Sequence, residues 1–239
     1  MLLPPVAVCI DLDGTVSDTD SSLDAGIRGA ALEAQRLTGT PIDAWLTANR
    51  QAAAEVWSAI SEGWILGGVG SADPSTRIYE RTLELVGGRT DLAPELVRAH
   101  GVAARVALRC YDDVGPFLEA VAAHGSKIVL ITNGASDTQR DTISAIGLDD
   151  AFDAAVVSAE VGVKKPDPRI FEAALAEIGA SSVDAWHIGD SLESDVAGAI
   201  AAGLQPVWLN RLGVPSPENL SESVTTVRSL IDLIPFLTG

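Results

Sequence analysis

The sequence predicts an α/β protein: a parallel sheet with helices on both faces, interrupted after its first strand by an inserted all-helical domain. Three observations predict it. Short, uninterrupted apolar runs, such as residues 6–10 and 128–131, alternate with helical stretches at the spacing of βαβ units. The helices between those runs tend to stop at a glycine, at Gly125, Gly147, Gly179 and Gly203. Residues 20–110 contain no convincing strand pattern.

Taken in order, residues 6–10 are apolar throughout, which suits a strand buried on both faces, and they run straight into Asp11-Leu12-Asp13-Gly14-Thr15. Leu23, Ile27, Ala30, Ala31 and Ala34 then recur at helical spacing. Pro41 can open a second helix, with Trp45, Ala48, Ala52, Val56 and Ile60 as its apolar stripe. Residues 63–70 break the pattern. Asp73-Pro74 restarts it as an N-cap followed by proline at the first helical position, and Ile78, Leu83 and Val86 follow. Residues 92–110 complete the helical region. After Asp113 the texture changes. Helices over 116–124, 139–146, 168–178 and 195–202 alternate with strands over 128–131, 154–157, 185–188 and 206–209. A loop rich in Pro, Ser and Asn over 213–223 precedes a final short strand and helix. The expected organisation is a Rossmann-like core made of residues 1–19 and 111–239, with an inserted helical domain over 20–110.

Composition narrows the function classes. The chain has 239 residues, 47% hydrophobic and 21% charged, so it can build a sizeable core. Its net charge of −17 and the lack of any basic run make nucleic acid and anionic membranes poor partners. No apolar run approaches the ~20 residues of a membrane span. The N-terminal stretch lacks the basic and small-residue pattern of a leader. Cys9 and Cys110 do not make a disulfide framework and read as small buried residues in a reducing compartment. The expectation is a cytoplasmic protein, its oligomeric state open.

Polar residues collect where the predicted strands end. The first strand delivers Asp11 and Asp13, and the second delivers Thr132, Asn133 and Gly134. The third is followed by Glu160 and then by Lys164-Lys165-Pro166-Asp167. The fourth delivers Gly189-Asp190, with Asp195 shortly after. In open α/β sheets ligands bind beyond the carboxyl ends of the strands, so these residues share one rim. Carboxylates, a hydroxyl and a lysine meeting there point to a hard cation with oxygen ligands and an anion beside it. Asp167 and Pro168 are accounted for as a helix start, but the lysine pair is not, in a chain whose only other lysine is Lys127.

The motifs DLDGT, ITNG, KKPDPRIF and GDSLESD, in that order and on those elements, resemble the haloacid dehalogenase-like hydrolases. The helical insertion resembles that family's cap of the type placed between the first and second motifs. The resemblance implies a Mg²⁺-dependent phosphatase acting on a small phosphorylated metabolite. It implies Asp11 as nucleophile and metal ligand, forming an aspartyl-phosphate, and Asp13 as acid/base whose carbonyl binds the metal. It further implies Thr132 as the phosphate-binding hydroxyl, Lys165 as the catalytic lysine because it directly precedes proline, and Asp190 and Asp195 as metal-site residues; beside Thr132, Asn133 and the Asn133 and Gly134 backbone N–H groups can bind phosphoryl oxygens at the turn. Dehalogenating members lack the second Asp of the first motif, and the phosphonate-cleaving branch needs a cap lysine that residues 20–110 do not contain. Trp64, in a glycine-bounded stretch, is the candidate for reading the leaving group. A phosphoryl-transfer mutase of the same family and a receiver-like phospho-accepting domain are the alternatives.

Overall fold

The computed structural model describes residues 2–68 and 72–238, and its contacts divide the chain into two compact units. One comprises residues 1–18 and 110–239, the other residues 19–109. In chain order, strand β1 (Ala7–Ile10) leads into four helices, α1 (Thr19–Thr38), α2 (Ile42–Ile65), α3 (Ala72–Leu85) and α4 (Ala93–Ala107). Then follow α5 (Val114–His124), β2 (Lys127–Thr132), α6 (Ser136–Ala145), β3 (Ala154–Val157), α7 (Ser158–Val161) and α8 (Pro168–Ile178). The chain continues through β4 (Ala185–Gly189), α9 (Ala197–Ala202), β5 (Gln205–Leu209), β6 (Thr225–Val227) and α10 (Ile234–Thr238). No helix among the described residues is long and apolar enough to cross a membrane.

The larger unit is the expected α/β fold. Its six strands form one parallel sheet in the order β3-β2-β1-β4-β5-β6. The central strand explains why the sequence reads as unbroken apolar runs. Side chains alternate across a strand, so burial on both faces requires apolar residues at every position. Val8 and Ile10 pack on one face with Val114, Phe117 and Leu230, while Ala7 and Cys9 pack on the other with Ile170, Phe171 and Ala174. Burial pushes the Cys9 thiol up to about 12, consistent with an inert packing residue.

The smaller unit is held by an alanine-rich core. Ala30, Ala31 and Ala34 of α1 pack with Trp45, Tyr79, Leu83, Ala93 and Leu96. Two polar pairs cross it: the partly buried Tyr79 Oη lies 2.6 Å from His100 Nδ1, and the buried Asn49 Nδ2 donates to Thr82 Oγ1 at 3.1 Å. Leu23, the first member of the expected α1 stripe, is exposed. Trp64 also departs from expectation. It sits in the last turn of α2 rather than in a loop, with its ring 5.4 Å from that of Trp57, because helical hydrogen bonding persists up to Leu66 N on Glu62 O. Helix α3 begins at Ala72, and the side chain of Asp73, the expected N-cap, lies outside the described residues, as do residues 69–71 of the break.

Within the larger unit, Arg211 after β5 ties three segments together. It donates to both Asp113 carboxylate oxygens at 2.8 and 2.9 Å and to the Thr15 carbonyl at 2.7 Å, and lies 3.9 Å from the Tyr111 ring centroid. Ser229 Oγ and Leu230 N add donors to Asp113 Oδ2 at 2.7 and 2.8 Å. Burial pushes the Asp113 carboxyl up, but these donors outweigh it and hold the group below its ordinary range. A depressed folded pKa contributes stability above the unfolded value of ~3.9 and loses it as pH falls through the folded value. Asp113→Asn is expected to lower Tm near neutral pH, with the gap to wild type closing as pH drops below ~3.9. Thermal melts over that range check it.

Candidate active site

The site is assembled by strand ends. In β1, Ile10 pairs in register with Leu130 of β2 on one side and Ile188 of β4 on the other, so the residues that follow these strands emerge from one rim. Strand order reverses at β1, which opens the crevice where such sheets take ligands. Asp11 continues β1, its N–H donating to the Ile188 carbonyl at 2.9 Å, and its side chain is buried. The chain then turns: Val16 N and Ser17 N both donate to the Leu12 carbonyl, at 2.9 and 2.8 Å. Gly14, at φ +77°, permits the turn. A Cβ there would sit 2.6 Å from Asp190 Oδ2, so glycine is also what lets the two loops approach.

Lys165, in the loop between α7 and α8, is buried and joins the site from the far side of β2. Its ammonium donates to Asp11 Oδ1 and to Asp195 Oδ1, the latter at 2.7 Å. Asp195 Oδ1 also accepts from His187 Nε2 at 2.9 Å, and its Oδ2 accepts from Ser191 N at 3.1 Å. Asp195 was expected at a helix N-terminus. It lies instead inside a π-helical turn, Leu192–Val196, closed by Val196 N on the Ser191 carbonyl at 3.1 Å. That turn swings the carboxylate back over the end of β4, where a Cβ on Gly189 would come within 2.2 Å of Asp195 Cγ.

The electrostatics are those of crowded carboxylates around one ammonium. Burial, and then the charges of Asp195, Asp190 and Asp13, push the Asp11 carboxyl well above its ordinary range, although Lys165 pulls the other way. Burial favours neutral Lys165, but Asp11 and Asp195 more than offset it and hold the ammonium above the usual lysine range. Burial also pushes Asp195 up, yet Lys165 and His187 bring it below the usual carboxylate range. His187 is shifted down, chiefly by burial. Oxygens of Asp11, Asp190 and Asp195 lie within 4.8 Å of one another. A dry site with this excess of negative oxygen, Asp190 exposed on its edge, fits a hard divalent cation.

The second-strand residues are wired differently from one another. Thr132 Oγ1 donates to Gln139 Oε1 at 2.7 Å. The Asn133 side chain clamps the Lys165 backbone, accepting from Lys165 N at 2.8 Å and donating to Lys165 O at 3.0 Å. Gly134 N donates to Ser158 Oγ at 2.9 Å. Asn133 and Gly134 thus spend these groups on holding the loop that carries Lys165 and on β3's continuation. Gln139 Nε2 donates to Asp13 Oδ2 at 3.2 Å, linking Thr132 to Asp13. Glu160, though it follows β3, pairs with Arg140 at 2.7 Å and Ser136 at 2.5 Å instead. Lys164 is partly buried, unlike its neighbour.

Sequence reasoning missed His187, Gln139 and Ser158. His187 left a trace, a lone imidazole in the apolar strand Ala185–Gly189. Gln139 and Ser158 left none, because a buried polar residue near a helix start looks like any solvated one.

Residues 6–203 match the model of a protein family described as haloacid dehalogenase-like hydrolase, and the chain belongs to that family. It is 36% identical over 135 residues to phosphoserine phosphatase of Thermus thermophilus, covering 56% of this chain and 54% of that protein. It is 30% identical over 219 residues to ribulose-1,5-bisphosphate 5-phosphatase of Halopiger xanaduensis, covering 89% of this chain and 86% of that one. The chain spans about half the length of the more identical curated relatives it matches. The crystal structure of a 2-haloacid dehalogenase from Pseudomonas syringae pv. Tomato has the same fold, with a TM-score of 0.68 at 23% identity over 99% of both chains.

Removing one partner from a buried ion pair leaves the other charge uncompensated, at a cost of about 3–5 kcal/mol. Lys165→Met is expected to lose stability on that scale, since Asp11 and Asp195 would be stranded together. Lys164→Met is expected to lose ~0.5 kcal/mol or less, the usual size for a substitution away from a buried network. Urea unfolding of the two variants makes the comparison.

Proposed function

We propose that this chain is a Mg²⁺-dependent phosphomonoesterase for small phosphorylated metabolites, working through an aspartyl-phosphate on Asp11. The observation that carries the reading is the buried Lys165 ammonium bridging Asp11 and Asp195 at the carboxyl rim of the sheet. Relatives that are phosphatases of small metabolites add to it.

In this reading the Asp11 carboxylate, oriented by Lys165, attacks phosphorus in line with the ester oxygen. The new bond joins an Asp11 oxygen to phosphorus, the ester P–O bond breaks, and the leaving oxygen takes its proton from the Asp13 carboxyl. Asp13 then accepts a proton from water as that water attacks the phosphoryl group. Inorganic phosphate leaves and the Asp11 carboxylate is restored. Lys165 is suited to offset the charge that builds on the transferring group, and Thr132 to hold a phosphoryl oxygen once its one hydroxyl proton turns from Gln139 Oε1. Asp11, Asp190 and the Asp13 carbonyl would hold Mg²⁺, with Asp195, already bonded to Lys165, His187 and Ser191, supporting them from behind. Bound there, the cation would offset charge on the phosphate oxygens and favour the ionised form of Asp11.

The test is phosphate release from a panel of small phosphate monoesters with Mg²⁺. Turnover is expected to stop in excess EDTA and return with Mg²⁺. Asp11→Asn, which keeps the shape but removes the attacking charge, is expected to lower kcat by at least ~10³-fold. Full activity in chelator, or near-normal activity of Asp11→Asn, would sink the reading. A stably phosphorylated protein without release would favour a receiver-like role, and an isomerised phosphate ester would favour a mutase.

A further inference from the structure

We propose that Gln139 is a positioning residue for the acid/base step: its amide ties the Thr132 hydroxyl to the Asp13 carboxylate and holds that carboxylate in one orientation. The proposal rests on the phosphatase reading above. Gln139 is buried in the first turn of α6, where its N–H donates to the Ala135 carbonyl at 3.0 Å. Its side chain has two partners of opposite character. The Thr132 hydroxyl, 2.7 Å from Oε1, supplies a proton, and the Asp13 carboxylate, 3.2 Å from Nε2, can only accept one when ionised. Carbonyl and NH₂ ends are therefore matched, and flipping the amide would set acceptor against acceptor at Asp13.

Space is set aside for this side chain. A Cβ on Gly134 would sit 2.5 Å from Gln139 Nε2 and 2.9 Å from its Cγ, so the glycine of the ITNG motif leaves the volume that the glutamine fills. The N–H donor on Asp13 Oδ2 restrains rotation of the carboxyl group. Without the amide, Asp13 would sample rotamers in which the proton is not aimed. General acid catalysis is worth ~10²–10⁴-fold when aligned, so part of that range is at stake.

Two variants separate this role from a packing role. Gln139→Met keeps the length and loses both hydrogen bonds. Gln139→Glu keeps an acceptor for Thr132 but sets a carboxylate against Asp13. Each is assayed by kcat/KM on two substrates, p-nitrophenyl phosphate, whose phenolate departs with little protonation, and a simple alkyl phosphate, whose alkoxide needs the proton. Both variants are expected to lose ~10-fold or more on the alkyl ester and much less on the nitrophenyl ester, with the larger disparity in Gln139→Glu. The ratio of the two constants cancels the concentration of folded enzyme, so partial unfolding cannot imitate the result. Equal losses on both substrates would overturn the proposal and leave Gln139 a packing residue. Wild-type protein that releases phosphate from neither substrate would overturn the phosphatase reading and this proposal with it.

Discussion

One buried ammonium organises the rim of the sheet. Taking a charged lysine out of water costs several kcal/mol unless carboxylates meet it with good geometry. Here Asp11 arrives from β1 and Asp195 from the turn after β4, and both bond to Lys165 Nζ. Each partner is held in turn. Asn133 grips the Lys165 backbone by two hydrogen bonds, and His187 and Ser191 N fix the Asp195 carboxylate. The ends of β1, β2 and β4 therefore depend on a single charge, and the loop before α8 is shaped to deliver it.

That charge does not balance the site. Asp11, Asp13, Asp190 and Asp195 lie close enough to raise the cost of ionising Asp11, against one nearby ammonium. The imbalance is local; elsewhere some carboxylates pair with arginines on the surface, as in Arg28–Asp24 and Arg36–Glu33. Surface pairs of that kind contribute little. Asp190 is exposed and Asp195 buried, so the acidic cluster has a wet side and a dry side. A hard cation entering from the wet side would meet oxygen ligands already facing one another.

The smaller unit follows a different rule. Its helices approach closely through small residues: a Cβ on Gly26 would fall 2.6 Å from His100, and one on Gly29 would fall 2.7 Å from the Ala103 methyl. Alanine and glycine on α1 thus set how near α4 can come, and the Tyr79–His100 and Asn49–Thr82 pairs specify the register of an otherwise uniform apolar interface. It has its own core, and the strand before it and the helix after it belong to the other unit.

Most of the architecture was legible in the sequence for a physical reason. A strand buried on both faces must be apolar throughout, so β1 to β5 were visible as runs such as those at Val8 and Ile188, and glycines such as Gly125 marked helix ends because only they enter the left-handed region cheaply. Asp11, Asp13 and Asp190 were legible as candidates because polar residues directly after such runs can go only to the rim, and Lys165 because a helix start leaves the lysine pair unexplained. What the sequence could not say was which of these touch. The π-helical turn that folds Asp195 back over Gly189 has no local signal, since it is set by the Lys165 and His187 contacts waiting there. Trp64 looked like a loop residue because Gly63 masks a helix that continues through it to Ile65. Gln139 gave no cue at all. Its partners lie on β2 and in the loop after β1, and only closing the sheet brings a hydroxyl seven residues away and a carboxylate 126 residues away to opposite ends of one amide.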